Sequence, residues 1–217
     1  MIITLKDGSV REYSEAMTVN DIAFDISGGL GRAACAGEVD GEVVDLRTVL
    51  DKDCELNILT ARDKKGLAVL RHTASHVMAE AVQTLFPEAK VAIGPSIDTG
   101  FYYDFECQSF SRDDLDAIEK EMKKIIKKGA KIERFTKSRE DAIAFFKEKN
   151  EPYKVELIED LPEGEEISFY SQGDWVDLCA GPHLMSTKGI KAFKLLSSSG
   201  AYWSCLLYTS PSPRDST

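Results

Sequence analysis

"MIITLKDGSVREYSEAMTVNDIAFDI" (residues 1–26) decides how the first part of this chain is read. Ile2-Ile3-Thr4-Leu5, a Lys6-Asp7-Gly8-Ser9 turn and a run from Val10 to Tyr13 predict a β-hairpin, because β-formers flank a glycine-containing turn. Thr18 then stands as a cap before Ile22, Ala23 and Ile26, which fall at helical spacing. Short strand-like runs follow: "AACAGEVDGEVVDL" (33–46), with an Asp40-Gly41 turn signal, and "CELNILTA" (54–61). Hairpin, helix and further short strands are the order of a β-grasp, ubiquitin-like domain. The glycine cluster "SGGLGR" (27–32) lacks the Gly-Lys-Ser/Thr ending of a phosphate loop and joins no hydrophobic strand to a helix, so it is expected to be a loop closing the helix.

The whole chain has 217 residues, enough for two domains, with 43% hydrophobic and 29% charged residues, the composition of a folded globular protein. No stretch approaches the apolar length of a membrane span, and the N-terminus lacks the basic-then-apolar form of a secretory signal, so a cytoplasmic protein is expected. Five cysteines (Cys35, Cys54, Cys107, Cys179, Cys205) without regular spacing argue against a disulfide framework; Cys35, between alanines, reads as core. A net charge of -10 disfavours unselective nucleic-acid binding. The basic run "KKIIKKGAKIERFTK" (123–137) reads as the solvated face of a helix and its exit.

Beyond a polar joint, "ARDKKG" (61–66), Leu70, Ala74, Val77, Ala81 and Leu85 recur as the stripe of an amphipathic helix that Pro87 helps to end. "VAIGPSIDTGFYYDFE" (91–106) reads as strand, turn and strand. "SRDDLDAIEKEMKKIIKKG" (111–129) is a helix capped by Ser111 and stopped by Gly129, with Leu115, Ile118, Met122 and Ile125 buried; "SREDAIAFFKEKN" (138–150) is a shorter one. From "YKVELIED" (153–160) the pattern returns to strands through "EISFYSQG", "DWVDLC" and "KAFKLLS". The second domain is therefore α+β, with no repeating βαβ unit.

All three histidines of the chain fall in two short motifs, His72-x3-His76 in the long helix and Cys179-x3-His183 after a strand. Residues four apart on a helix share a face, and that face is directed away from the apolar stripe. Three imidazoles and a thiol are the groups of a tetrahedral zinc site. They are equally able to hold a water and shuttle protons. The metalloprotease form of the helix is disfavoured, because Thr73 stands where the general-base glutamate would be; a nucleophilic Cys179 requires the fold to bring a histidine to it. Asp177, two residues before Cys179, faces the same side of an extended segment, where it orients a histidine or water or else meets solvent. Gly181-Pro182 forms a rigid turn before His183, and Lys154 reads by default as a surface lysine.

Together "HTASHVMAEAVQTLFP" (72–87), "AIGPSIDTGFYYDF" (92–105), "EPYKVELI" (151–158), "VDLCAGPH" (176–183) and "FKLLSSSGAYW" (193–203), behind a β-grasp domain, resemble the N-terminal half of the threonyl-tRNA synthetases. The resemblance implies a TGS domain at 1–62 and, at 63–203, an α+β editing domain similar to that of alanyl-tRNA synthetases. It implies hydrolysis of serine wrongly attached to threonine tRNA, with tRNA as partner and a homodimer in the full-length enzyme. His72, His76, Cys179 and His183 match the family's editing-site motif, and Lys154 and Asp177 match further polar residues of that pocket. In alanyl-type relatives the four-residue set holds zinc; the threonyl-type site works through a positioned water, so editing is expected to need no cofactor. ATP, magnesium and a separate zinc belong to a ligation core that these residues do not contain. The end, "SCLLYTSPSPRDST" (204–217), fits no part of the family and resembles a translated adaptor tail, so native sequence is expected to stop near Trp203, with Cys205 set aside. Two alternatives remain: a stand-alone factor editing in trans, and an RNA-binding regulatory module with a structural metal.

Overall fold

A computed structural model of the chain describes residues 1–91, 96–97, 100–106, 110–201 and 204–210. Cys107, Trp203, residues 211–217 and part of the 91–106 stretch lie outside the described residues. The chain divides into two compact units, Met1–Leu70 with Gly181–Met185, and Arg71–Ala180 with Ser186–Thr217. No helix among the described residues is long and apolar enough to cross a membrane.

The first unit holds β1 (Ile2–Leu5), β2 (Val10–Glu12), β3 (Met17–Thr18), α1 (Val19–Ile26), α2 (Gly28–Ala33), β4 (Ala34–Val39), β5 (Glu42–Val44), β6 (Val49–Leu50) and β7 (Cys54–Thr60). Five strands form a sheet in the order β2-β1-β7-β4-β5, with β1 and β7 parallel at its centre and antiparallel pairs outside them. This is the expected β-grasp order. The predicted Asp40-Gly41 turn is present, both residues having positive φ (48° and 88°), which the right-handed twist of a tight hairpin requires. The Thr18 hydroxyl accepts a hydrogen bond from Asp21 N and so caps α1. Ile3, Val19, Ile22, Leu46 and Leu56 are almost wholly buried together. Burial also raises the Cys35 thiol to about 12, with Asp63 adding to it, so this thiol is an inert core group.

The glycine cluster differs from expectation. It is not a loop but the short helix α2, because Ser27 Oγ accepts from Leu30 N and caps it. The pair β3 and β6 is a further addition, two-residue strands too short to leave a pattern in sequence.

The long helix α3 (Lys64–Leu85) enters the second unit, followed by β8 (Lys90–Val91), β9 (Ser96–Ile97), β10 (Gly100–Glu106), α4 (Arg112–Lys128), β11 (Ile132–Thr136), α5 (Arg139–Glu148), α6 (Pro152–Asp160), β12 (Ser168–Gln172), β13 (Trp175–Leu178), β14 (Lys194–Ala201) and β15 (Ser204–Ser210). One sheet runs β14-β15-β10-β8 with β9 on β10; a second runs β11-β12-β13. The mixture is the α+β architecture expected. Ser204–Ser210, which has no apolar periodicity, pairs along both β10 and β14, since backbone N–H and C=O groups pair whatever the side chains.

Both termini of α4 follow expectation. Ser111 and Asp114 form a reciprocal capping box, and Gly129 stops the helix in the left-handed conformation (φ 64°) that a residue with a Cβ enters at a cost. In α3 the single stripe is too narrow a description: every residue from Thr73 to Ala79 is buried, while Leu85, at the end before Pro87, is 37% exposed. Two further expectations are corrected. Residues 153–160 are helical, because Pro152 at the first position presets φ and the Arg139 guanidinium donates to the C-terminal carbonyls of Ile158 and Leu161. Val155 and Ile158 of this run pack with Phe146 and Phe169. Part of the basic run 123–137, the exit of the helix, is strand β11, in which Ile132 is buried, Phe135 half-buried and Glu133, Arg134 and Thr136 exposed.

Candidate active site

Four elements of the second unit converge on one buried polar cluster. His72 and His76 come one turn apart on α3, with ring centroids 5.1 Å apart and planes at 81°. Asp177 comes from β13, and Cys179 lies just past its end, where its N–H donates to Ser168 O (3.0 Å) and its carbonyl accepts from the Ser168 hydroxyl (2.5 Å). Lys154 comes from α6. Its side chain is 3% exposed, which overturns the default of a surface lysine. Tyr103, which sequence reasoning did not single out, comes from β10.

Lys154 Nζ pairs with Asp177 Oδ1 at 2.9 Å and donates to Tyr103 Oη at 3.2 Å; Tyr103 in turn donates to Asp177 Oδ2 at 2.5 Å. Burial by itself raises the Asp177 pKa, but Lys154, His76 and the hydrogen bonds from Tyr103 and Lys154 outweigh it, so the carboxyl sits below its usual value and stays ionised. Burial, followed by the Asp177 charge, pushes the Tyr103 phenol well up, keeping it a donor. His76 is wholly enclosed. Burial lowers its pKa to about 3 against the opposing pull of Asp177, with His72 and Lys154 lowering it further. The 3.7 Å contact of His76 Nε2 with Asp177 Oδ2 is therefore one between a carboxylate and a neutral imidazole, not an ion pair at neutral pH.

The Cys179 Sγ lies 3.4 Å from His72 Nε2, so the fold does bring a histidine to the thiol. His72, His76 and Cys179 offer ligand atoms within 4.8 Å of one another. Tetrahedral zinc, with ligand bonds of about 2.0–2.3 Å, sets neighbouring ligand atoms about 3.5 Å apart, so the thiol–imidazole pair fits a metal as it stands. The remaining candidate, His183, lies in Gly181–Met185, the segment grouped with the first unit. Its N–H donates to Asp45 Oδ2 (3.1 Å), while the Arg47 guanidinium donates to the carbonyls of His183 (3.2 Å) and Leu184 (2.8 Å). The His183 imidazole is buried, and the Gly181-Pro182 bond before it is cis.

Around His76 a second polar chain runs outward. The Trp175 ring stands 5.3 Å from the imidazole; Trp175 Nε1 donates to Gln83 Oε1 (2.8 Å), and Gln83 Nε2 donates to Glu151 Oε1 (2.7 Å). The alternation of buried aromatics at 101, 103 and 105 was the one signal that placed Tyr103 on the inward face of its strand. Nothing local marked Gln83 or Glu151.

Comparison with known proteins places the chain among related sequences. The TGS domain family matches residues 1–60, and the family described as threonyl and alanyl tRNA synthetase second additional domain matches residues 167–202, which include Asp177, Cys179 and His183. The chain is 63% identical over 202 residues to a threonine--tRNA ligase of Acetivibrio thermocellus, covering 93% of this chain and 32% of that protein. Threonine--tRNA ligases of Caldanaerobacter subterraneus subsp. tengcongensis (57% over 204 residues) and Clostridium botulinum strain Hall (60% over 202 residues) are matched to similar extents, again over 32% of their length. The chain thus spans about a third of the length of the curated relatives it matches. It carries a TGS domain followed by a domain of the threonyl and alanyl tRNA synthetase second-additional-domain family, in a sequence closely related to threonine--tRNA ligases.

Proposed function

We propose that this chain is the proofreading part of a threonine--tRNA ligase and that its second domain hydrolyses serine from mischarged threonine tRNA. The observation that carries the reading is a charged Lys154–Asp177–Tyr103 network buried beside a neutral His76 and a His72–Cys179 pair. A buried lysine held by a carboxylate has the character of a preorganised stabiliser of negative charge. Threonine and serine differ by one methyl group, which a binding pocket discriminates by only about 1–3 kcal/mol, so a second, hydrolytic site is needed to raise fidelity.

In this reading His72 accepts a proton from a water that attacks the ester carbonyl, and the Lys154 ammonium stabilises the oxyanion. As the bond to the ribose oxygen breaks, His72 returns the proton to that oxygen, releasing serine and free tRNA. Asp177 holds Lys154 and Tyr103 in place. Cys179 and His76 shape the water site, and we assign His183, four residues past Cys179, to the same set. The ATP-dependent ligation of threonine, with its ATP, magnesium and zinc, and the homodimer are assigned to the whole ligase, with cytoplasmic translation as its setting. Seryl-tRNA deacylation by the purified chain tests the reading: wild type is expected to hydrolyse the ester, and His72→Ala and Lys154→Ala each to slow it roughly a hundredfold or more. Wild-type rates in both variants would overturn it.

A second reading is favoured by the 3.4 Å thiol–imidazole contact and the neutral His76, both suited to a structural zinc in an RNA-binding module. His72, His76, Cys179 and His183 would hold the ion, which would supply rigidity to the cluster. Stoichiometric zinc in the purified protein together with no deacylation supports this reading over the first.

A further inference from the structure

Glu151 is a buried carboxyl with one oxygen left over. The residue is 8% exposed; Oε1 accepts from Gln83, while Oε2 makes no hydrogen bond of normal geometry. Both oxygens of a buried carboxyl require partners from protein or ordered water. The residue also lines a cavity of about 70 Å³, bounded in addition by Gln83, Lys154, Trp175 and Asp177 and, toward solvent, by the exposed Lys149 and Asp174. Neither His72, His76 nor Cys179 lines it. The cavity is thus a second approach to the Lys154–Asp177 pair, separate from the histidine and cysteine cluster.

A bound water needs only about 10–15 Å³ of such space, so the void has room for more than one, and Gln83, Glu151, Lys154, Trp175 and Asp177 on its wall, beside the apolar Val91, Phe146 and Val176, supply the several polar partners that a water needs. The position of Glu151 follows from the chain: Pro152 starts α6, Glu151 is its N-cap residue but makes no side-chain cap, and Lys154 lies three residues on, with Lys154 N donating to Glu151 O. The carboxyl is thereby turned inward, on the side of the helix that carries the Lys154 side chain.

We propose that this cavity is a hydrated port in which ordered water joins Glu151 Oε2 to the Lys154 ammonium, making Glu151 a positioning residue for the Lys154–Asp177–Tyr103 network. Burial raises the Glu151 pKa, and Gln83, Lys90, Lys154 and the nearby Val91 backbone oppose the rise, as expected for a carboxyl sharing a confined polar space with a cation. Only the consequence for catalysis rests on the hydrolase reading; the port itself does not.

The test uses the 217-residue chain and two variants, Glu151→Gln, which keeps the shape, and Glu151→Leu, which removes the polar group. A high-resolution crystal structure of the wild type is expected to hold water within hydrogen-bond distance of both Glu151 Oε2 and Lys154 Nζ. In spectra of ¹⁵N-lysine-labelled protein, both variants are expected to shift the Lys154 ammonium resonance while the remaining spectrum stays folded. If either variant unfolds, the crystal structure and the other variant still decide. A dry cavity, or a Lys154 resonance unmoved by a folded variant, overturns the proposal. If seryl-tRNA is hydrolysed, Glu151→Gln is expected to lower kcat roughly tenfold with KM unchanged. Water in the port and a shifted resonance in a chain with no hydrolase activity would sink the hydrolase reading and leave the port standing.

Discussion

The two units bury different things. The first encloses Ile3, Val19, Ile22, Leu46 and Leu56 with no charged side chain among the buried residues of its core, and apolar area removed from water holds it. The second places Lys154, Asp177, His76 and Tyr103 in one interior cluster, each no more than 4% exposed. Burial of two charges costs free energy that their mutual attraction only partly offsets, so the network is poor evidence of stability and better evidence of a site. The first unit is built to be folded; the second carries an expense that a scaffold alone would not require.

Removing one partner of the buried pair is the most direct way to break that contrast. Asp177→Ala leaves Lys154 uncompensated and is expected to lower stability by about 3–5 kcal/mol, whereas the double change Asp177→Ala with Lys154→Met recovers much of the loss. Denaturant unfolding of the single and double variants measures both, and additive losses would mean that the pair does not couple. In the first unit, Ile22→Ala is expected to cost about 2–5 kcal/mol by leaving a cavity, with no change in any chemistry of the second.

Acid sharpens the comparison further. The folded-state pKa of His76 is lowered from 6.5 to about 3, so its stability contribution is complete above about pH 6.5 and is lost as pH falls toward 3, where the unfolded chain takes up a proton that the folded one excludes. Asp177, also lowered, adds a loss of the same sign below its ordinary value of 3.8. Glu80 acts oppositely: burial raises it from 4.5 to about 7, so its contribution is full below 4.5 and declines as pH rises through 7. Because Glu80 offsets His76 between pH 7 and pH 4, the effect is read as a difference: over that range in chelator the wild type is expected to lose melting temperature relative to His76→Gln, and an identical slope in that variant would remove His76 as a cause. The smallest expected effect lies at a helix end. Ser111→Ala, which deletes one half of the α4 capping box, is expected to cost about 1 kcal/mol in the same unfolding assay.

Much of this was legible in the chain. The hairpin turn at Asp40-Gly41, the Thr18 and Ser111 caps and the Gly129 stop are decided by backbone dihedrals and by hydrogen bonds within a few residues, so local sequence carries them. His72 and His76 could be placed on one helical face for the same reason. The helix at 152–160 could not, because what ends it is Arg139, from another helix, reaching the Ile158 and Leu161 carbonyls.

By itself, then, the sequence determined the β-grasp order, the α+β class of the second domain, the termini of its capped helices and the motifs that mark the candidate site. Tertiary structure alone decided that Lys154 lies inside against Asp177, that Tyr103 bridges them and that Glu151 turns toward the same interior. Caps and turns act over three or four residues of neighbouring chain, whereas the burial of a charge depends on partners 23, 51 or 74 residues away: Lys154 from Asp177, Tyr103 from Lys154, and Tyr103 from Asp177.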